Sequence, residues 1–127
     1  MHQKPIEAPP SQLLHTRLTT RFGLVHPILS APKAFIAGGA LADAVSAAGA
    51  LGLVAGGYAG LLPGEPVLDE ELTLLQNRLY GVGFITWALQ QRPWVLDQLL
   101  DNFTPTCIMQ KPDHCLVPGR NITNKPG

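Results

Sequence analysis

The chain has 127 residues, a length that normally corresponds to a single domain. Apolar residues make up 46% of it and charged residues only 14%, which excludes a disordered polyelectrolyte and leaves enough apolar material for a core. Nine basic residues balance nine acidic ones, so bulk charge draws the chain neither to nucleic acid nor to an anionic membrane.

Residues 1–19 predict a disordered leader, because they are polar, carry several prolines and lack the apolar run of a secretory signal. The two cysteines, Cys107 and Cys115, both come late and show no paired ligand spacing. We therefore expect reduced thiols, with Cys107 as a small buried side chain, and a cytoplasmic location.

The ordered fold is expected to begin with a strand and a helix. Pro27 to Ala31 is a short apolar run that Pro32 closes, which predicts the strand. Gly38 and Gly39 then break the chain before the predicted helix, and Gly49 suits its end. The apolar face of this helix carries, at helical spacing, Leu41, Val45 and Ala48.

A second strand is predicted over Leu51 to Ala55, which is apolar on both faces like an interior strand of a parallel sheet. The surrounding stretch Ala44 to Leu62 has no charge and is long enough for a membrane span. Because it consists mostly of alanine and glycine, we interpret it as a helix end, a strand and a turn.

The second half of the chain predicts two more helices and two more strands. Acidic residues begin the next helix, and its apolar face holds Leu68, Leu72, Leu75 and Leu79. Tyr80 to Ala88 predicts the third strand, since it is rich in β-branched and aromatic residues. Pro93 suits the first turn of a third helix, whose apolar face holds Leu96, Leu99, Leu100 and Phe103. Thr106 to Met109 predicts a fourth strand, and residues 110–127 have no period and predict an irregular tail.

Short apolar strands that alternate with amphipathic helices indicate an α/β fold with a parallel sheet. Ligands bind at the carboxyl ends of such strands. A site is therefore expected at residues 32–34, at Gly56 and Gly57, and near Thr86.

Three segments carry a family resemblance: His26-Pro27-Ile28 with Ala31-Pro32, the AVSAAGALG run from Ala44, and the GVGFIT run from Gly81. In their order and spacing they resemble the nitronate monooxygenase family, formerly called 2-nitropropane dioxygenases. The resemblance covers roughly Thr20 to Met109.

The resemblance implies a (β/α)₈ TIM barrel that binds flavin mononucleotide (FMN) and oxidises alkyl nitronates with O₂ to a carbonyl compound and nitrite. By position, it assigns to the cofactor Pro32, Lys33, Ala34, Gly83 and Phe84. A complete barrel takes about 250 residues, so this chain matches an incomplete barrel of three to four βα units. The family's phosphate-binding glycines and catalytic histidine belong to later strands, which leaves the catalytic residues of this chain unknown, and no metal is expected.

Lys33 departs from the family, because many relatives carry methionine there. A cation beside a flavin would stabilise its anionic states. The interpretation that we favour is that Lys33 extends from the strand end into solvent.

Two other functional hypotheses remain open. Other FMN barrels, such as enoyl reductases, share the geometry of the strand ends. A non-catalytic barrel remnant would instead expose unpaired strand edges and self-associate.

Overall fold

The structure is a computed structural model that describes residues 13–75, 78–111 and 114–116. Its helices are α1 (Arg17–Phe22), α2 (Gly39–Ala47), α3 (Leu68–Thr73), α4 (Thr86–Gln91) and α5 (Trp94–Asn102). Its strands are β1 (Gly52–Gly57), β2 (Tyr80–Phe84), β3 (Cys107–Lys111) and β4 (His114–Leu116).

The strands form one open sheet in the order β1-β2-β3-β4. β1, β2 and β3 run parallel, whereas β4 pairs antiparallel with β3. Beside β1, Leu29 forms a parallel bridge with Leu51. The expected α/β class with a parallel sheet is confirmed, and the arrangement is compatible with part of an α/β barrel.

The segment Pro27 to Ala31 lies beside β1 and runs in its direction, as predicted, but it pairs over a shorter length than expected. Leu51 N donates to Ile28 O, and Ser30 N donates to Leu51 O, both at 3.0 Å. Ser30 Oγ then accepts from Leu53 N at 2.9 Å. The backbone hydrogen bonds between the two segments end here because Pro32 has no N–H to donate. The Ser30 side chain supplies the acceptor for Leu53 N instead.

Both faces of the sheet carry a core. On one face, α2, α3, α4 and α5 pack over a cluster that includes Ala42, Val54, Leu72, Val82, Leu89, Leu99 and Ile108. On the other face, Leu51 and Cys107 pack with Phe22, which belongs to α1. This second cluster is smaller, so the larger share of the apolar burial lies under the helices.

The buried face of α2 differs from the one predicted. Ala42 is 1% exposed, whereas Leu41 is 47% exposed and Ala48 is also exposed. A Cβ on Gly52 would meet the Ala42 backbone at 2.6 Å, so a glycine on β1 lets the helix backbone approach the strand closely. This close contact selects the small residues of α2, and the larger Leu41 remains outside.

Two predicted boundaries are wrong. The helix expected over Leu68 to Leu79 ends at Thr73, where the amides of Leu74 and Leu75 bond to carbonyls three residues back and tighten the last turn. The strand expected to reach Ala88 ends at Phe84, because α4 begins at Thr86 and buries Ala88 and Leu89. In both cases, tertiary burial overrides the local pattern.

The expected terminal segments are also corrected where the structure describes them. α1 begins at Arg17, inside the predicted leader, and the side chains of Thr16 and Thr19 form a capping box at its start. β3 reaches Lys111, and β4 follows inside the predicted tail, where a three-residue strand is too short to show a period. Residues 1–12 and 117–127 lie outside the described part.

Cys107 is buried in the second core cluster and is disulfide-bonded. The expectation of a reduced thiol at this position is therefore wrong. A disulfide at Cys107 does not support a reducing compartment, which we expected because the cysteines lack a paired spacing.

Candidate functional site

Pro32 and Gly83 meet at the carboxyl edge of the sheet. A Cβ on Gly83 would lie 2.5 Å from Pro32 Cβ, well inside van der Waals contact. Pro32 follows the segment that pairs with β1, and β2 lies on the far side of β1. Glycine at position 83 is therefore what allows Pro32 to reach past β1 and pack on β2. The parallel topology predicted this meeting, because parallel strands end at one edge.

The turn after Pro32 is closed by its own backbone. The Lys33 carbonyl oxygen accepts from Ile36 N at 3.1 Å and from Ala37 N at 2.8 Å. The Lys33 side chain is exposed, and Ala34 is half-buried. Phe35, within this turn, has a φ of 65°, a left-handed conformation that a bulky residue rarely adopts.

A second loop closes over the end of β1, and Glu65 holds it. Glu65 Oε1 accepts from Tyr58 N at 2.6 Å, and Oε2 accepts from Gly60 N at 2.8 Å. Gly57 O accepts from Ile85 N at 2.9 Å, which ties the loop to the end of β2. The two oxygens of one carboxylate thus fix the turn that follows β1.

The two loops contact each other through aromatic rings. The ring centroids of Phe35 and Tyr58 are 6.2 Å apart, with their planes inclined at 45°. Beside this pair lies a cavity of about 140 Å³, lined by Phe35, Ile36, Ala37, Gly38, Ala55, Glu65, Pro66 and Glu71. A cavity of this size admits a small molecule or a few waters and is too small for a flavin ring system.

Glu71, the other carboxylate at this cavity, caps α2 from α3. Its Oε2 accepts from Gly39 N at 2.8 Å, while the N-cap residue Gly38 has no side chain to do so. Because the first amides of a helix have no partners within it, this carboxylate supplies a missing acceptor and complements the helix dipole. Both acidic side chains of the cavity are thus bonded to backbone amides.

The structure brings together four of the five residues predicted for the cofactor: Pro32, Lys33, Ala34 and Gly83. Phe84 is different, because its ring lies in the core cluster under the helices and is 8% exposed. A Cβ on Gly56 would meet that ring. Any contact of Phe84 with a ligand at the edge would therefore come from its backbone.

Sequence reasoning missed Phe35, Tyr58 and Glu65. A signal for Glu65 exists in the chain, since it stands between Gly64 and Pro66 in a loop that directly follows a predicted strand. The aromatic pair has no comparable signal, because its two members come from different loops.

The opposite end of β2 contains a larger cavity, of about 410 Å³, between α3 and α5. Tyr80 lines it, and burial raises the pKa of this phenol above 10.0, while a hydrogen bond with the Thr104 backbone offsets part of the rise. This cavity lies at the amino end of the strand, and its lining includes Leu75 and Arg78. We assign no site to it.

Arg78, which lines this cavity, forms an ion pair with Asp43. Arg78 Nε lies 2.6 Å from Asp43 Oδ1, yet this buried oxygen receives no well-aligned hydrogen bond from the described residues. Since the Arg78 side chain is 45% exposed, solvent screens the pair and its contribution to stability is small.

Within the described part of the chain, no group of three acidic, histidine or cysteine side chains is placed to hold a metal ion. No helix in that part combines the length and apolar character that crossing a bilayer requires. The uncharged stretch Ala44 to Leu62 contains the end of α2, β1 and the turn after it.

Searches of protein families, of curated proteins and of solved structures found nothing that matches this chain.

Proposed function

We propose that this chain is the N-terminal portion of a flavin-binding βα barrel of the nitronate monooxygenase type. The reaction is the oxidation of an alkyl nitronate by O₂ to a carbonyl compound and nitrite. The segments that resemble the family support this proposal. The structural observation that favours it most is the packing of Pro32 over Gly83, because it joins two resembling segments at the edge where parallel α/β proteins bind ligands.

The described residues suit one part of FMN better than another. Pro32, half-buried and seated on the buried Gly83, offers a small apolar surface on which a flat ring can lie, with the exposed Lys33 beside it. The amides of Tyr58, Gly60 and Gly39, which could otherwise hold the phosphate, are already bonded to Glu65 and Glu71. We therefore expect weak FMN binding, through the ring.

When bound, FMN would supply the redox chemistry by accepting electrons from the nitronate and passing them to O₂. The part played by this chain is to position the ring. Pro32, held in place on Gly83, would exclude water from one side of the ring. The Lys33 carbonyl accepts from Ile36 N and Ala37 N and keeps the turn in shape. The exposure of Lys33 is in keeping with a side chain that extends into solvent.

The proposal is tested by titrating the full chain with FMN and following flavin fluorescence. Gly83→Ala displaces Pro32, so the affinity for FMN should fall by about tenfold, the equivalent of about 1.4 kcal/mol. Gly81→Ala is the matched control: on the same strand and face, its added Cβ meets Leu53 and not Pro32. Both variants should lose stability, but only the former should lose flavin binding.

Failure of the wild-type chain to bind FMN at all, or equal losses in both variants, would contradict the proposal. Nitrite release from propane-2-nitronate distinguishes this activity from that of other FMN barrels. An enoyl reductase would consume a nicotinamide cofactor and release no nitrite.

A second candidate, a non-catalytic barrel remnant that self-associates, is favoured by a different observation. Many large apolar side chains of the described part are 40% or more exposed: Leu14, Val25, Ile28, Phe35, Ile36, Leu41, Leu62, Val67, Leu74, Leu79, Trp87 and Trp94. Exposed apolar side chains that gather into a patch mark a surface for another chain, and Phe35 and Ile36 are neighbours in the sequence. Such a chain would be colourless in excess FMN and oligomeric.

A further inference from the structure

We propose that the turn Tyr58–Gly60 is a binding site for a planar anion with two oxygens, a carboxylate or a nitronate, and that Glu65 of the same chain occupies it. The nitronate assignment rests on the proposed function. The anion site itself does not.

The geometry of the turn is that of a receptor for a two-oxygen anion. Each oxygen of the Glu65 carboxylate takes one amide, at 2.6 Å from Tyr58 N and at 2.8 Å from Gly60 N. Gly57, Ala59 and Gly60 all have positive φ values, of 54°, 53° and 78°. Tyr58, between the first two of them, does not. Successive amides in a turn that mixes left-handed residues with residues of negative φ point toward one side and form a concave site for an anion.

The surroundings favour negative charge and a flat group. The guanidinium of Arg92 reaches the turn, with Nη1 3.4 Å from the position that a Cβ on Gly60 would take. The ring of Tyr58, whose backbone amide belongs to the turn, packs against the ring of Phe35. The site directly follows β1, at the edge of the sheet where Pro32 and Gly83 meet.

Glu65 acts as an internal competitor for this site. It follows Gly60 by five residues and stands between Gly64, with a φ of 76°, and Pro66. A short tether gives the carboxylate a high effective concentration at the turn, so an external anion has to displace it. The wild-type chain should therefore bind such an anion weakly, and removal of the carboxylate should expose the site.

A nitronate presents the same fork as a carboxylate. Its two oxygens share one negative charge in a plane, as the two oxygens of Glu65 do. The amides of Tyr58 and Gly60 would therefore hold a nitronate by its oxygens and leave its carbon pointing away from the turn.

The experiment uses the full chain with Glu65→Ala and follows backbone amide resonances by NMR, without flavin. Acetate and propane-2-nitronate are added separately, and sodium chloride at equal ionic strength is the salt control. Both anions should shift the amides of Tyr58 and Gly60 saturably, with affinities at least about tenfold higher than in the wild type. Glu70→Ala removes an exposed carboxylate of α3 and should behave like the wild type.

The amide shifts of Tyr58 and Gly60 decide between the anion site and the nitronate assignment. Shifts with acetate alone would overturn the nitronate assignment, and shifts with neither anion, or equal shifts with chloride, would overturn the site. If Glu65→Ala does not fold, as judged by circular dichroism, Glu65→Gln serves instead, because its amide group releases one of the two backbone amides for acetate. Absence of flavin binding together with acetate binding would contradict the proposed function and leave the anion site standing.

Discussion

The backbone of Phe35 has a conformation that normally belongs to glycine. Left-handed φ and ψ angles cost an L-residue about 1–2 kcal/mol, and at a φ of 65° Phe35 bears this cost in the turn beside Pro32. Since strained residues collect at binding sites, this position fits the candidate site at the carboxyl edge.

The strain makes the order of two substitutions predictable. Phe35→Ala and Phe35→Gly both remove the ring contact with Tyr58, but only glycine relieves the backbone. We expect Phe35→Gly to be more stable than Phe35→Ala by about 1 kcal/mol in urea denaturation. Ala40→Gly, on the exposed side of α2, is the control, because glycine there should cost about 0.5–1 kcal/mol. If Phe35→Ala were as stable as Phe35→Gly or more stable, the backbone of residue 35 would not be strained.

Tyr80 gives the folded state a dependence on alkaline pH. Because burial raises the pKa of its phenol above 10.0, the unfolded chain releases this proton at a lower pH than the folded chain. The stability linked to Tyr80 is therefore complete below pH 10.0 and is lost as the pH rises toward the pKa of the folded state.

We expect the free energy of unfolding to fall more steeply above pH 10.0 in the wild type than in Tyr80→Phe. All other groups are the same in both proteins, so the difference between the two stability curves isolates Tyr80. An absorbance titration of Tyr58→Phe, which leaves Tyr80 as the only tyrosine of the sequence, measures the raised pKa directly. If the free energy of unfolding fell equally with pH in the wild type and in Tyr80→Phe, Tyr80 would not be the source of the alkaline dependence.

At the scale of elements, the start of α2 depends on a residue of another helix. Removal of the Glu71 carboxylate leaves Gly39 N without its acceptor, which should lower stability by about 1 kcal/mol. Glu70→Ala, one residue earlier in α3, is the matched control, and Glu71→Gln should lose less because it keeps an acceptor oxygen. Equal losses for Glu70→Ala and Glu71→Ala in thermal unfolding would show that the cap contributes nothing.

The parallel order of the elements could be read from the sequence, whereas their ends and faces could not. Alternation of apolar strands with helices is a property of whole segments, and it predicts one common carboxyl edge. The end of α3 depends on the burial of Leu75, and the face of α2 depends on Gly52, a residue of another element. Contacts between residues of different elements produce no pattern within the sequence of either element.

The candidate site likewise contains residues that the sequence predicts and residues that it does not. Pro32 and Gly83 follow from the topology and from the resemblance. Successive residues of a strand face opposite sides, so strand geometry alone separates Phe84 from Gly83. The bond between Glu71 and Gly39 joins residues 32 positions apart, and no spacing rule in a single sequence reports it.

For the whole molecule, the two edges of the sheet differ. β4 covers β3 on one side with an antiparallel strand. On the other side, the segment Pro27 to Ala31 pairs with β1 through Leu29 and leaves its outer backbone groups without a neighbouring strand among the described residues. The prolines at 27 and 32 limit the length over which another strand can add.

This asymmetry predicts limited self-association at one edge. Ile28 lies on the open edge with 57% of its surface exposed, and Trp94 on α5 is 53% exposed. We expect the average mass in sedimentation experiments to rise above 13.6 kDa as the concentration increases. Ile28→Lys should suppress the rise, because a charge at a sheet edge opposes pairing, whereas Trp94→Lys should leave most of it. A monomer at every concentration, or suppression by Trp94→Lys alone, would contradict association through this edge. An isologous contact between two copies of the Pro27 to Ala31 edge closes on itself, so association through this edge alone should give a dimer.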